Sequence, residues 1–169
     1  RYVPLDKDRI TFSDNLKMIH AYACANNKVI TNLIFPNNLI SIDNGAFYGC
    51  NNLNILNFPK TLQSIGDMGF YECNELKEIS FGNNISTIGK KAFSSVNLNK
   101  IKINALKPPT ADESSFKNYN ATLIVPKGRN SVYEKHSIWG NFSRIIDDED
   151  NIGNTITFSV EIADVNRSW

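Results

Sequence analysis

The sequence has no hydrophobic run long enough to cross a membrane and no excess of charge of either sign. Its 169 residues include 18 Lys and Arg against 17 Asp and Glu, which gives a formal net charge of +1. A membrane-spanning helix needs about 20 mostly apolar residues, and nucleic-acid-binding proteins usually carry a concentrated basic face. We therefore expect neither membrane insertion of this segment nor a nucleic-acid partner.

Cysteine and histidine are scarce, and their placement argues against zinc and against a disulfide framework. There are three Cys and two His, with no C-x-x-C pair, and His20 and His136 lie far apart. An odd number of Cys cannot form a complete set of disulfides, and a zinc site needs clustered ligands. We interpret Cys50 and Cys73 as small buried residues; a disulfide between stacked neighbours is the alternative.

Motifs that carry catalysis are absent as well. The sequence has no G-x-S-x-G elbow, no glycine-rich phosphate loop and no H-E-x-x-H. Asp147–Asp150 (DDED) offers oxygen ligands but lacks the spacing of a calcium loop, so we interpret it as a solvated linker. We expect no catalytic residue, no metal and no cofactor, and hence a protein that is not an enzyme.

What the sequence does contain is a repeat of 23 residues. When the chain is shifted by 23, apolar residues fall into shared columns; after a deletion near Val96–Leu98 the shift becomes 22. A single unit cannot bury its apolar side alone, so stacked units must share one core. The clearest columns are Phe12, Phe35, Phe58 and Phe81; Ile19, Ile42, Ile65 and Ile88; Ala23, Ala46, Gly69 and Ala92; and Cys24, Phe47, Phe70 and Phe93.

One unit illustrates the local structure that this pattern predicts. Leu33 and Phe35 alternate with outward residues, as in a strand with one buried face. Pro36 ends the strand because it lacks a backbone donor. Ala46, Phe47 and Cys50 then have the spacing of one short helical or 3₁₀ turn.

Several segments carry a specific resemblance. IDNGAFYGCNNLNILNFP and IGDMGFYECNELKEISF follow the pattern I-G-x-x-A-F-x-x-C-x-x-L-x-x-I-x-I-P, and LIVPKG and WGNFSRI resemble the closing segment of such arrays. Over residues 10–146 the chain resembles BspA-like leucine-rich repeats, which occur mostly in secreted or surface proteins of Bacteroidetes-type bacteria. Gly82 in place of Pro and Val96 in place of Cys depart from the pattern.

We therefore expect a leucine-rich-repeat solenoid, mainly β with short helical or 3₁₀ turns, forming a right-handed superhelix of about five coils with a C-terminal cap. The expected divisions are a lead-in at 1–9, the array at 10–129, the cap at 130–146, and an acidic linker with a terminal strand at 147–169. Ser131–Trp139 is expected to be a cap helix, with Asn130 or Ser131 as its N-cap. Ala105–Ser115 interrupts the repeat and is interpreted as a variant loop.

The candidate site is the exposed face of the longer strands. Residues that alternate with the core columns must point outward, and together they form an extended surface of mixed polarity. We call this surface the strand face. Its residues are Asn32, Ile34, Ile55, Asn57, Glu78, Ser80, Lys100, Lys102, Thr122 and Ile124.

The resemblance implies a non-catalytic adhesion or binding module. The partner would be a host extracellular or bacterial surface protein, with a glycan as an alternative, and we expect a monomer. The location would be secreted or cell-surface; an export signal or lipid anchor would precede Arg1, since the sequence does not begin with Met. The alternative function is a structural spacer, or an accessory repeat domain, that presents another domain at the cell surface.

Overall fold

In the computed structural model, residues 9–149 are described, and they form a stack of short coils. Each coil of the array has a longer strand on one side and a two-residue strand on the other. In chain order the elements are β1 (Arg9–Thr11), β2 (Met18–Ile19), β3 (Asn32–Ile34), β4 (Ser41–Ile42), β5 (Ile55–Asn57), β6 (Ser64–Ile65), β7 (Glu78–Phe81), β8 (Thr87–Ile88), β9 (Lys100–Ile103), β10 (Thr110–Ala111), β11 (Thr122–Val125), α1 (Asn130–Glu134), a 3₁₀ turn (Trp139–Asn141) and β12 (Arg144–Asp147).

The strands pair in parallel between successive coils. The longer strands run in the order β5-β7-β9-β11-β12, with β1 paired to β3 beside them, and the short strands run β2-β4-β6-β8-β10. Ile42 pairs with Ile65, 23 residues on, whereas Ile79 pairs with Ile101, 22 residues on. The predicted leucine-rich-repeat solenoid and both of its registers are confirmed.

Two ladders of phenylalanine rings fill the core. The first stacks Phe12, Phe35, Phe58 and Phe81 with centroid distances of 6.0, 5.3 and 5.0 Å. The second ladder meets the first edge-on, at 5.6 Å between the rings of Phe58 and Phe70. Stacking within a ladder and edge-on contact between ladders are both favourable geometries for aromatic pairs. The second ladder consists of Phe47, Phe70, Phe93 and Phe116, 5.1, 5.4 and 5.9 Å apart.

The turns that carry the second ladder differ from the prediction. The expected helical or 3₁₀ turn at Ala46, Phe47 and Cys50 is wrong, because the segment is a run of non-helical turns. Gly45 and Gly49 have φ of +61° and +70°, the left-handed region that glycine enters without steric cost.

Hydrogen bonds between coils explain why these turns are not helical. The N–H groups of Gly45, Phe47 and Gly49 donate to carbonyls of the next coil at 2.9, 2.9 and 2.7 Å. A helix would direct these N–H groups to carbonyls of its own segment. The alternating left-handed residues instead turn every second N–H toward the neighbouring coil, and so add a third ladder to the two sheets.

The two repeated cysteines are buried thiols, as the sequence indicated. Cys50 and Cys73 are fully buried and free, and each Sγ donates to a carbonyl of the preceding coil, Cys24 at 3.1 Å and Phe47 at 3.2 Å. Burial raises the pKa of Cys50 to about 11 and that of Cys73 still further. Both side chains are therefore protonated, unreactive packing groups at neutral pH.

The carboxyl-terminal cap seals the core with aromatic side chains. Trp139 and Phe142 contact Phe116, each ring at 5.4 Å. Two buried hydrogen bonds attach the cap to the variant loop: the Trp139 indole donates to the Pro109 carbonyl at 2.8 Å, and the Tyr133 hydroxyl to the Ala105 carbonyl at 2.8 Å.

The predicted helix Ser131–Trp139 is wrong in extent and in its cap. α1 ends at Glu134, and its N-cap is Arg129, which makes no side-chain capping bond. The chain leaves the helix because Ile138 and Trp139 must reach the core, where both are buried. His136 supports this turn, since its Nδ1 accepts from the Ile138 amide at 3.2 Å.

The boundary predicted at residue 147 is also wrong. Arg144–Asp147 forms β12 and pairs with β11, so the coil stack continues through the predicted cap. Asp147 belongs to that strand and Asp148 is buried, so neither is a solvated linker residue. At the other end Arg9, assigned to the lead-in, begins β1. The predicted terminal strand at Thr155–Ala163 lies outside the described residues.

Replacing Phe70 with Ala tests the role of the ring ladders. Phe70 is fully buried and stacks on rings from both neighbouring coils. We expect F70A to lower the free energy of unfolding by about 3 to 5 kcal/mol, as for other buried Phe-to-Ala changes. The control is Tyr71→Ala, where the adjacent ring is only half-buried and stacks on one neighbour, Tyr48; it should cost about 1 kcal/mol. The free energy of unfolding of both variants is measured by urea denaturation, and equal losses for the two would contradict this role.

Candidate binding surface

All ten residues predicted for the strand face lie on the same side of the longer strands. The burial of these strands alternates strictly, with Leu33 and Leu56 buried between exposed neighbours. Asn32, Ile34, Ile55 and Asn57 are exposed, and the other six residues are half-buried. The structure thus brings the predicted residues together; that they bind a ligand remains a prediction.

Parallel pairing arranges these residues in two rows across the strands. In one row Ile55 lies opposite Glu78, and Glu78 opposite Lys100. In the other, Asn57 lies opposite Ser80, and Ser80 opposite Lys102. Thr122 and Ile124 continue the rows on β11. Adjacent strands are about 4.8 Å apart, so side chains within a row are direct neighbours.

The amino-terminal part of the strand face is apolar and exposed. Ile34 is 55% exposed and Ile55 is 46% exposed. Within residues 9–149 no ladder pairing joins β3 to β5, the strands that carry these two isoleucines, although the short strands behind them pair without a break. Single exposed apolar side chains are normal on a protein surface, whereas apolar side chains grouped in a patch are informative. Ile34 and Ile55 stand on neighbouring coils of one face.

The centre of the strand face contains an ion pair beside a shallow depression. The Lys100 ammonium contacts the Glu78 carboxylate, and both side chains are more than a third exposed. The depression measures about 150 Å³, and Ile55, Asn57 and Ser80 contribute to its walls. A recess of this size can hold one side chain of a partner, and it is too small for a drug-sized ligand.

A second ion pair at the carboxyl end was not foreseen from the sequence. Lys102 Nζ lies 2.8 Å from Asp148 Oδ2, and the Asp148 side chain is only 5% exposed. The repeat held the signal for this contact: a further shift of 22 places Ile145 opposite Leu123. That alignment adds Arg144 and Ile146 to the two rows, and it directs Asp148 to the same face.

Between residues 9 and 149 no three His, Cys, Asp or Glu side chains are grouped so as to hold a metal ion. In the same range no helix is long and apolar enough to cross a membrane. The described residues of the strand face offer polar groups, two ion pairs and exposed apolar side chains.

Comparison with known proteins assigns the family. Residues 6–123 match the family described as "BspA type Leucine rich repeat region", in six copies. The chain belongs to this family. A BspA-type array of six copies agrees roughly with the predicted five coils and with the observed strands, and the predicted resemblance is confirmed.

A solved structure shares this fold. The crystal structure of the pneumococcal vaccine antigen PcpA superposes with a TM-score of 0.66 at 22% sequence identity, over 84% of this chain and 36% of that one. The BspA-type chain thus spans about a third of the length of PcpA, and at this identity the likeness shows the fold alone. Among curated proteins no match was found.

The two ion pairs should differ in their effect on stability. Removing Asp148 leaves the ammonium of Lys102, whose side chain is only 29% exposed, without its partner. We expect Asp148→Ala to lower the free energy of unfolding by about 2 kcal/mol. This is less than the roughly 3 to 5 kcal/mol lost when one partner of a fully buried ion pair is removed. The matched change Glu78→Ala removes the partner of an exposed lysine and should cost less than about 1 kcal/mol. Urea denaturation at low and high salt compares the two; a larger loss for Glu78→Ala would contradict the assignment.

Proposed function

We propose that this array is a non-catalytic binding module of a secreted or surface protein, and that it recognises a protein partner through the strand face. The observation that carries the proposal is the pair of exposed isoleucines, Ile34 and Ile55, beside the central ion pair on one continuous surface. Leucine-rich-repeat solenoids in general present such extended surfaces for binding.

The composition of the strand face suits a protein partner. Affinity in protein interfaces comes mostly from a few apolar anchors that become fully desolvated, and Ile34 and Ile55 can serve as such anchors. Charged and polar groups around them, here Glu78 and Lys100, set orientation and partner choice more than affinity. The shallow central depression can accept one side chain from the partner.

The proposal places this binding module outside the cell. The BspA-like resemblance implies a secreted or surface protein, and the solved structural relative is described as a vaccine antigen. Both features fit a domain that meets its partner outside the cell. A non-enzymatic role fits a BspA-type leucine-rich-repeat array, a kind of domain that is typically non-catalytic.

A structural spacer is the second candidate function. Three hydrogen-bonded ladders join successive coils, namely the two sheets and the ladder through the turns, such as Phe70 N–H to the Ala92 carbonyl at 3.0 Å. Such a stack resists bending, which a spacer requires. It does not explain why two isoleucines remain exposed on the strand face, and for that reason we favour binding.

The test is a binding screen against immobilised extracellular-matrix and bacterial surface proteins, followed by affinity measurement on any ligand found. Ile34→Glu should weaken binding at least about tenfold, or 1.4 kcal/mol, because it places a charge in the apolar contact. The matched control is Ile40→Glu: Ile40 is also exposed, at 37%, but lies beside β4 on the opposite sheet. The control should bind like the original chain.

Charge reversal provides a second arm of the same test. Lys100→Glu should also weaken binding, with a melting temperature lowered by only a few degrees, because its ion pair is exposed. Lys102 is unsuitable for this purpose since its reversal would face the buried Asp148. The strand-face proposal fails if the folded chain binds no protein in the screen, or if Ile40→Glu weakens binding as much as Ile34→Glu.

A further inference from the structure

A polar cleft lies at the carboxyl end of the array, away from the strand face. It measures about 460 Å³ and is lined by residues 110–113 of the variant loop and 136–138 of the cap. Thr110 and Ala111 form β10 and keep the 23-residue register with β8, whereas residues 136–138 belong to the irregular cap. The cleft therefore lies where the last short strand of the array meets the cap. Its volume falls within the range of about 300 to 1,000 Å³ typical of small-molecule sites.

The two walls of the cleft are held at a fixed separation. The Trp139 indole donates to the Pro109 carbonyl at 2.8 Å, which joins the cap to the residue directly before Thr110. The Tyr133 hydroxyl donates to the Ala105 carbonyl at 2.8 Å and makes a second connection. Trp139 and Tyr133 are both fully buried. The cleft is thus preorganised, which lowers the entropic cost of binding a ligand.

The polar side chains that line the cleft are oriented as well. His136 Nδ1 accepts from the backbone amides of Ile138 and Trp139, at 3.2 and 3.4 Å, so the neutral ring carries its proton on Nε2. Asp112 Oδ1 accepts from the Ser114 hydroxyl at 2.6 Å and from its amide at 2.9 Å. These bonds hold the pKa of the Asp112 carboxyl below its ordinary value, so it is ionised at neutral pH.

The composition of the lining narrows the class of ligand. Two carboxylates, from Asp112 and Glu113, and no Lys or Arg disfavour phosphate, sulfate and acidic sugars. Among residues 9–149 no cluster suitable for a metal ion occurs, and the lining residues include no Phe, Tyr or Trp. What remains is a set of closely spaced acceptors and donors: two carboxylates, the hydroxyls of Thr110 and Ser137, and the imidazole N–H.

We propose that this cleft binds a neutral, hydroxyl-rich ligand, that is, one or two sugar units of a glycan. Carboxylates accept from sugar hydroxyls, while Ser137, Thr110 and the His136 ring can each donate to sugar oxygens. Ala111 and Ile138 supply apolar contact for the C–H faces of the ring. The site is independent of the strand face, so the chain would offer a protein-binding surface and a separate sugar-binding cleft.

The experiment applies the 169-residue chain to a printed array of neutral, acidic and amino glycans, followed by NMR titration with the free sugar of any neutral hit. Ser137→Trp should abolish binding, because an indole at this exposed position fills the cleft. The matched control is Lys135→Trp, which adds the same indole on an exposed neighbour outside the cleft. We expect the control to bind like the original chain.

A milder variant keeps the test decisive if Ser137→Trp does not fold. Glu113→Ala removes an exposed carboxylate and should weaken binding about tenfold. The proposal is overturned if the folded chain binds no glycan, if it binds only acidic or amino glycans, or if the cleft variants bind neutral glycans as well as the original chain. Ile34→Glu should leave sugar binding unchanged, so failure of the strand-face proposal would be seen separately.

Discussion

The stacking of phenylalanine rings from one coil to the next is the interaction on which the rest of the structure depends. Rings 5.0 to 6.0 Å apart in each ladder match the spacing of about 4.8 Å between paired strands. Each ring must therefore occupy the same place in every coil. This requirement keeps equivalent side chains in register from coil to coil, and so it sets the direction in which each strand presents its other side chains.

Binding surfaces follow from this constraint in two different ways. On the strand face the stack imposes a regular grid of positions, and the residues placed there can vary because they lie outside the core. At the carboxyl end the stack must be closed, and Trp139 and Phe142 do so by covering Phe116. The closure requires irregular chain in the cap, and the polar cleft forms between this chain and β10 with the residues that follow it.

The periodic part of the fold was predictable from the sequence because residues of the same kind recur at the same position in successive repeats. Repeated columns identified the core phenylalanines and, by alternation, the outward strand-face residues. Two of the features that were missed occur only once: the early end of α1 at Glu134 and the contact of Lys102 with Asp148. Strand β12 was missed although it lies at a further shift of 22 from β11. The helical turn at Phe47 was wrong for a different reason, since hydrogen bonds between coils override local spacing.

Amide hydrogen exchange tests most directly whether the ring ladders hold the coils as one cooperative unit. The N–H groups of Phe47, Phe70 and Phe93 each donate to a carbonyl of the following coil, at 2.9, 3.0 and 2.7 Å. The account predicts that these three amides exchange only through global opening, with the same high free energy. Clearly different values for the three, or exchange as fast as in the exposed turns, would show that the coils open independently and would contradict the account.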